Sequence, residues 1–541
     1  MSQSDHQYEG RRIIPAALQF IDCISVATIL GTGILGLPVT IAHAGLIPFL
    51  ISFVIGFFVQ ALLIYLFVDL LQRCQAVQVE SLKSLETERI LMQDVGEEEP
   101  SIMNTEDEEE HEEVDYGLLQ RDASAKGRME GREPNLHFLG VLFLNKYMSH
   151  AFNFILLFQF ISIGISYVLA GSEAFAVLFH VSHVYVIPVF TWTLSLGIIV
   201  AQVVIQPITS LLTLLKGILL IITVVVTFVV GSEVHREIVN DFSHIGKPFL
   251  MGTVALGGIV NVMPFLFSEI SYSKIQILWF RRAILGGLFT CTVLNILWCW
   301  AVLEIVPQMS VQKVLEDGIS NNSSVLAEAS PPAYTFIYSN VSLEEAEEAG
   351  EIATIPLTKI IIQKYSRFSW VAELVQTFIA VSVSVSFLVM GSAMKHTTVL
   401  LTSGHFKASF QKRRCKKLHC SVVFVSSSLS NGFMCFLAFG LIFIVASFDP
   451  KGFVTILDKV VSFSLNTEVG LFIFLMLRRS RSEPYKDLSV PLPMGERLFS
   501  LYWLLPLYFL FAVGYDVVES LLDVADSWTH NPTSLPNSSL H

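Results

Sequence analysis

Charge is scarce in this chain. Only 15% of its 541 residues are Asp, Glu, Lys or Arg, where a soluble domain runs near a quarter. That scarcity excludes an ordinary soluble fold. A basic excess is missing too: the formal net charge is −13, the wrong sign for a nucleic-acid binder. Cysteine is sparse, and none of Cys23, Cys74, Cys291, Cys299, Cys415, Cys420 and Cys435 falls between positions 306 and 365, so no disulfide is expected in that stretch. Cys415, His419 and Cys420 lie close together, but their spacing matches no usual zinc site. The chain also lacks HExxH, a GxGD pair and a His/Asp acyltransferase arrangement, and therefore does not read as an enzyme. No charge ring or filter repeat argues for a channel. Met1 to Arg12 is polar and the apolar stretch after it is too long for a signal h-region, so the first helix is expected to act as its own insertion signal.

What the chain has is apolar length. Hydrophobic residues make up 53%, gathered in runs long enough to cross about 30 Å of hydrocarbon as helices and too unbroken for the alternating strands of an outer-membrane barrel. The expected fold is an all-α polytopic membrane protein. Hydropathy places about eleven helices, at 15–42, 46–71, 146–179, 184–205, 208–231, 248–270, 282–306, 368–394, 421–446, 452–477 and 498–522. Acid concentrates in one segment, with EEEP from Glu97 and EDEEEHEE from Glu106. The whole of 72–140 reads as a disordered acidic loop.

Basic residues orient the chain. Arg11 and Arg12, Arg281 and Arg282, KASFQKRRCKK up to Lys417, and RRSRSEPYK from Arg478 all fall on one side if the N-terminus is cytosolic, the positive-inside pattern. Asn-x-Ser/Thr sequons at Asn321, Asn322, Asn340 and Asn537 then fall on the opposite, exofacial or lumenal side, where they are candidate glycosylation sites.

The most informative stretch is LGTGILGLP, Leu30 to Pro38. Three glycines and a proline damage a helix. A backbone opened inside the membrane must face protein, water or a ligand. An unwound turn there offers N–H groups to a carboxylate and C=O groups to a cation or an ammonium, and a zwitterionic amino acid carries both. The sixth helix repeats the device in LGGIVNVMP, with Leu256-Gly257 and Pro264 at the same gap as Leu30-Gly31 and Pro38. Interrupted helices at corresponding positions of two halves point to a transporter's central site.

At these residues the chain resembles the amino acid/auxin permease family, most closely its proton-coupled amino acid transporter branch. GTGILGLP, followed by Ala42, Ala44 and Gly45, resembles the family's first-helix signature, and MPFLFSEI from Met263 resembles the end of its sixth helix. The resemblance implies a LeuT-type 5+5 inverted repeat with discontinuous helices one and six. The N-terminus (1–14) would be cytosolic, with the first repeat at 15–231 and the second at 248–477. The glycosylated exofacial loop would span 307–367, helix eleven 498–522 and an exofacial tail 523–541. It implies alternating-access transport of small amino acids without an organic cofactor, driven by H+ or Na+. Carried over, Gly31, Thr32 and Gly33 would line the site from helix one, and Gly257, Gly258 and Asn261 from helix six. Two departures stand out: the long acidic loop, and the missing histidine in DCISVATIL before Gly31.

Ionisable residues at membrane depth are candidates for ion coupling. Lys216 lies about two and a half turns into helix five. It either supplies a protonatable charge where relatives of this fold hold sodium, or snorkels to the inner face. Ser382 and Ser386 share a face of helix eight and either form half a sodium site or allow close helix packing. Asn466 and Glu468 lie deep in helix ten and could line an interior cavity, although they, like Asp22, Asp458–Lys459 and Glu269, read as nearer to structure than to mechanism. Tyr116 to Leu119 (YGLL) fits a tyrosine-based sorting pattern read by a cytosolic adaptor, as does Tyr485 to Leu488, which puts an endolysosomal membrane beside the plasma membrane as an address. The rival function is an amino acid sensor that signals through the acidic loop without turnover.

Overall fold

The computed structural model describes residues 33, 35–95, 135–200, 202–234, 238–268, 270–315, 334–338, 341–410, 420–448, 456–483, 485–486 and 488–529. Nine helices among the described residues are long and apolar enough to cross a membrane, as backbone hydrogen bonding in hydrocarbon requires. They match the second to eighth, tenth and eleventh expected spans. The ninth is the helix Cys420–Phe448. Of the first, residues 35–40 are helical. Asn321, Asn322, Asn340, Tyr116 and Leu119 lie outside the described residues, as do Gly31 and Thr32.

The helices divide into a core and a rim. In the most apolar stretch of the sixth span, Gly246–Ser268, 83% of residues are buried, and in that of the third, Lys146–Phe179, 72%. In that of the eleventh, Glu496–Leu522, only 22% are buried. The third packs along the eighth, Ser369–Phe410, which in turn contacts the fifth, Gln202–Val234. Helix ten packs on helices three, six and eleven. Helices three, six, eight and ten therefore enclose the interior.

The sixth helix is interrupted as the sequence predicts. It runs as Gly246–Gly257, a 3-10 turn at Gly258–Asn261, and a short helix Met263–Ser268. The cause is local: Gly257 and Gly258 present no side chains to hold helical geometry, and Pro264 lacks the N–H its turn needs. Helix ten carries two π turns, Ile456–Val461 and Glu468–Ile473, on either side of Ser462–Thr467. Such turns concentrate at functional positions in helices.

Two expected boundaries are corrected. The second helix does not end at Leu71 but continues to Val95. A separate helix, Leu136–Phe143, precedes the third and is capped by the Asn135 side chain accepting from the Phe138 N–H. Thus both ends of the expected loop 72–140 are helical; Gln72 to Val95 is rich in helix-forming Gln, Glu and Leu. The stretch 307–367 also carries structure. It contains an antiparallel pair, Val311–Leu315 with Tyr334–Tyr338, in the register Val311 opposite Tyr338. Two helices follow, Leu343–Glu348 and Thr354–Lys364. Their face of the bundle is called the hairpin face below.

Each face is tied shut by polar contacts. On the hairpin face, Lys247 pairs with Glu347 at 2.6 Å, and Gln308 donates to the Ala42 carbonyl at 3.0 Å. The Ile47 N–H donates to Asn240 Oδ1 at 2.9 Å. On the opposite face, buried Asp69 meets Arg73 at 3.1 Å and Arg481 at 3.2 Å.

Candidate functional site

Three of the sequence candidates meet in the core. Lys216 on helix five is 1% exposed. Its Nζ donates to Ser386 Oγ at 2.9 Å and to the Ser382 carbonyl at 3.5 Å. The snorkelling alternative is thereby corrected: the ammonium turns inward to helix eight instead of out to the membrane surface. Ser386 also engages the Tyr167 side chain of helix three. Ser382 Oγ is buried without a hydrogen-bond partner. A hydroxyl and a carbonyl from one turn of helix eight thus face a cationic side chain from helix five, in a setting of low dielectric where a charge-assisted bond is strong.

The helix-one and helix-six candidates also converge. A Cβ at Gly33 would lie 2.7 Å from Ala255 Cβ and 3.0 Å from Asn295 Oδ1. The helix-one motif therefore packs directly against helix six, one turn before its interruption. A Cβ at Gly257 would lie 2.6 Å from Leu465 of helix ten and 3.4 Å from Gln60 Nε2 of helix two. Gly258 lines a small cavity together with Gln159 and Tyr167 of helix three, Val254, Met390 of helix eight, and Val461 and Leu465 of helix ten. Asn261 is 5% exposed, and its amide nitrogen and oxygen both lack hydrogen-bond partners among the described residues. Buried polar atoms are ordinarily paired, so an unpaired amide beside a broken helix is suited to bind something polar.

Sequence reasoning undervalued helix ten and overlooked Gln60 and Gln159. Asn466 is fully buried and donates to Thr253 Oγ1 of helix six at 2.9 Å and to Ser462 Oγ at 3.0 Å. Glu468 is fully buried, and neither carboxylate oxygen has a hydrogen-bond partner among the described residues; the same holds for the amides of Gln60 and Gln159. The available signal was four amides and acids set inside apolar runs, each of which needs a partner or a role. Asp22 and Glu269 lie outside the described residues. Lys459 pairs instead with Glu519 of helix eleven, at 3.3 Å.

No protein-family model matches this chain, and no curated protein matches it. Solved structures do. A mutant of the Eremococcus coleocola manganese transporter is similar at TM-score 0.51 and 10% identity, covering 96% of this chain and 89% of that one. The same transporter in complex with an aromatic bis-isothiourea substituted compound is similar at TM-score 0.51 and 9% identity, with the same coverage. At that identity the likeness is one of fold: this chain has the fold of a helical membrane transporter over nearly its whole length.

Proposed function

We propose that this chain is a secondary active transporter that moves small amino acids across a membrane by alternating access, coupled to protons through Lys216. In this reading it belongs with the amino acid/auxin permeases. It folds as LeuT-type inverted repeats, 15–231 and 248–477, with the eleventh helix outside them.

The observation that carries the proposal is the interrupted sixth helix. Its 3-10 turn, Gly258–Asn261, sits in the bundle interior with the unpaired Asn261 amide, and the matching motif of helix one packs on it through Gly33. Backbone groups released at this turn suit the carboxylate or the ammonium of a small zwitterion; Leu30 to Thr32 of the helix-one motif lie outside the described residues. Lys216 supports the coupling ion. Its ammonium already stands against Ser386 and the Ser382 carbonyl, the oxygens a sodium ion would otherwise use. Loss of its proton would weaken the hold of helix five on helix eight, and so link proton release to helix movement. The manganese of the structural neighbours is not carried over, because their similarity speaks only to fold.

The test is uptake of a labelled amino-acid mixture into proteoliposomes under an imposed pH gradient or an imposed sodium gradient. The proposal expects uptake driven by pH alone and lost in Lys216→Ala. Sodium-driven uptake would move the ion site to Ser382 and Ser386 and reject the role of Lys216. Saturable binding without uptake under either gradient would favour a sensor.

A further inference from the structure

Glu468 of helix ten is a charge-bearing side chain that the reading above does not use. It is fully buried, and both of its oxygens lack hydrogen-bond partners among the described residues. An ionised carboxylate in that setting carries a large desolvation cost, which proteins relieve by neutralising the group or pairing it with a cation. Its own helix does not relieve it. Asn466 is committed to Thr253 and Ser462, and Glu468 opens the second π turn, Glu468–Ile473, where the changed winding re-aims side chains relative to the helix before it.

The neighbour that matters is Gln159 of helix three, whose side chain stands beside Glu468 and whose amide has no other partner among the described residues. A neutral carboxylic acid and a primary amide satisfy one another: the acid O–H donates to the amide oxygen, and the acid carbonyl accepts from the amide NH2. A carboxylate satisfies only the NH2 and leaves the amide oxygen bare. Gln159 also lines the small cavity with Tyr167 and Gly258. Gln159 and Tyr167 are eight residues apart, on one face of helix three, and Tyr167 in turn engages Ser386, the partner of Lys216.

We propose that Glu468 is a proton-binding site of the transporter core, separate from Lys216, with Gln159, which lines the small cavity, as its acid–amide partner. As a coupling group it rests on the transporter reading; as a protonation site it does not. The other titratable groups on the elements packed against it are spaced away from it. Lys459 and Arg478 are nine and ten residues along helix ten, each about 14 Å at 1.5 Å per residue. On helix eleven, Glu519 is bonded to Lys459 and Asp516 lies one turn from Glu519, while Tyr508 packs against Phe249. On helix three, Tyr167 is two turns beyond Gln159.

The experiment is infrared difference spectroscopy of the full-length protein in lipid vesicles, titrated from acid to alkaline pH without substrate. Wild type is expected to show a carboxylic-acid C=O band that disappears on alkalinisation, is lost in Glu468→Gln, shifts in Glu468→Asp and persists in Lys216→Ala. Gln159→Leu is expected to move the band by removing the amide. A band identical in wild type and both Glu468 variants overturns the proposal. So does a carboxylate signal that answers to added NaCl or MnCl2 and not to pH, which would make Glu468 a cation site. Because no flux is measured, failure of amino-acid uptake leaves this result readable.

Discussion

Lys216 and Ser386 are 170 positions apart in the chain and 2.9 Å apart in the structure. The bond joins helix five to helix eight with both side chains essentially inaccessible to solvent. A lysine is an expensive residue to bury, and its presence there is best explained by use. A hydrogen bond to a charged group contributes about 1.5–3 kcal/mol, so Lys216→Ala is expected to reduce pH-driven uptake by roughly ten- to a hundredfold. Lys216→Arg is not expected to restore it, since a guanidinium is larger and does not release its proton. Exchange of labelled for unlabelled amino acid at equal pH should survive better than net uptake. Equal loss of exchange and net uptake in Lys216→Ala would count against a coupling role.

The contact between helices one and six gives a second test. A methyl at position 33 would stand 2.7 Å from Ala255 Cβ, closer than two methyl carbons approach, and neither is the end of a flexible side chain. Gly33→Ala is expected to destabilise the closed packing by about 1–3 kcal/mol, the usual cost of overpacking. Removing the opposing methyl should relieve it. The double variant Gly33→Ala with Ala255→Gly is therefore expected to recover most of the thermal stability lost by Gly33→Ala alone. A double variant no better than the sum of its singles would mean that the contact does not limit packing.

The interruption of helix six was legible in the sequence because its causes are local. Gly257, Gly258 and Pro264 act on their own turn, whatever surrounds them. Lys216, Ser382 and Ser386 were each legible as misfits in apolar helices, but not their meeting. Snorkelling and inward burial differ only in which helix lies alongside, and that is settled by packing among segments far apart in sequence. Glu468 was undervalued for a related reason. A single acid in an apolar run looks the same whether a neighbour satisfies it or not, and the unpartnered amide of Gln159 becomes relevant only once helices three and ten are side by side. The extension of helix two to Val95 was missed because the acidic composition downstream was averaged over a stretch with its own helix-forming residues. The 307–367 segment hid its structure in pieces too short for periodicity, a five-residue strand pair and a helix of six residues.

Acid should loosen the hairpin face through Glu344. This carboxylate accepts from the Ser310 N–H at 2.8 Å and from the Ser310 hydroxyl at 2.7 Å, and lies 4.0 Å from His43. Burial alone would raise its pKa, but the two Ser310 bonds and the nearby His43 outweigh burial and hold it below the ordinary 4.5. A folded pKa below the unfolded one means stabilisation that is present above about pH 4.5 and lost as pH falls through the folded value. Hydrogen exchange at Ser310 and across Leu343–Glu348, corrected for the intrinsic pH dependence of exchange, is expected to speed up only on the acid side of that range. In Glu344→Gln it should be fast throughout. Protection that instead falls as pH rises would contradict the assignment.

The opposite face offers the sharpest mechanical test. Asp69 is 1% exposed and bridges two guanidinium groups, Arg73 on its own helix and Arg481 beyond the end of helix ten. Arg73 also donates to the Ser480 carbonyl at 3.2 Å, and Arg481 stacks over Phe499 with its guanidinium carbon 3.9 Å from the ring centroid. Asp69→Asn removes the buried anion that both guanidinium groups share, while Arg481 keeps the exposed Glu496 at 3.4 Å. Breaking a buried pair from one side costs about 3–5 kcal/mol, here concentrated where helices two and ten close the bundle. Cys74 lies one residue past Arg73 and is fully buried. Asp69→Asn is therefore expected to open this face and expose Cys74 to a membrane-impermeant maleimide, which should label wild type slowly. A change that keeps the charge separates opening from unfolding: Asp69→Glu leaves an anion between Arg73 and Arg481 and should keep Cys74 slow to label. Slow labelling in Asp69→Asn, or labelling of Asp69→Glu as fast as that of Asp69→Asn, would show that this ion network does not hold the face closed.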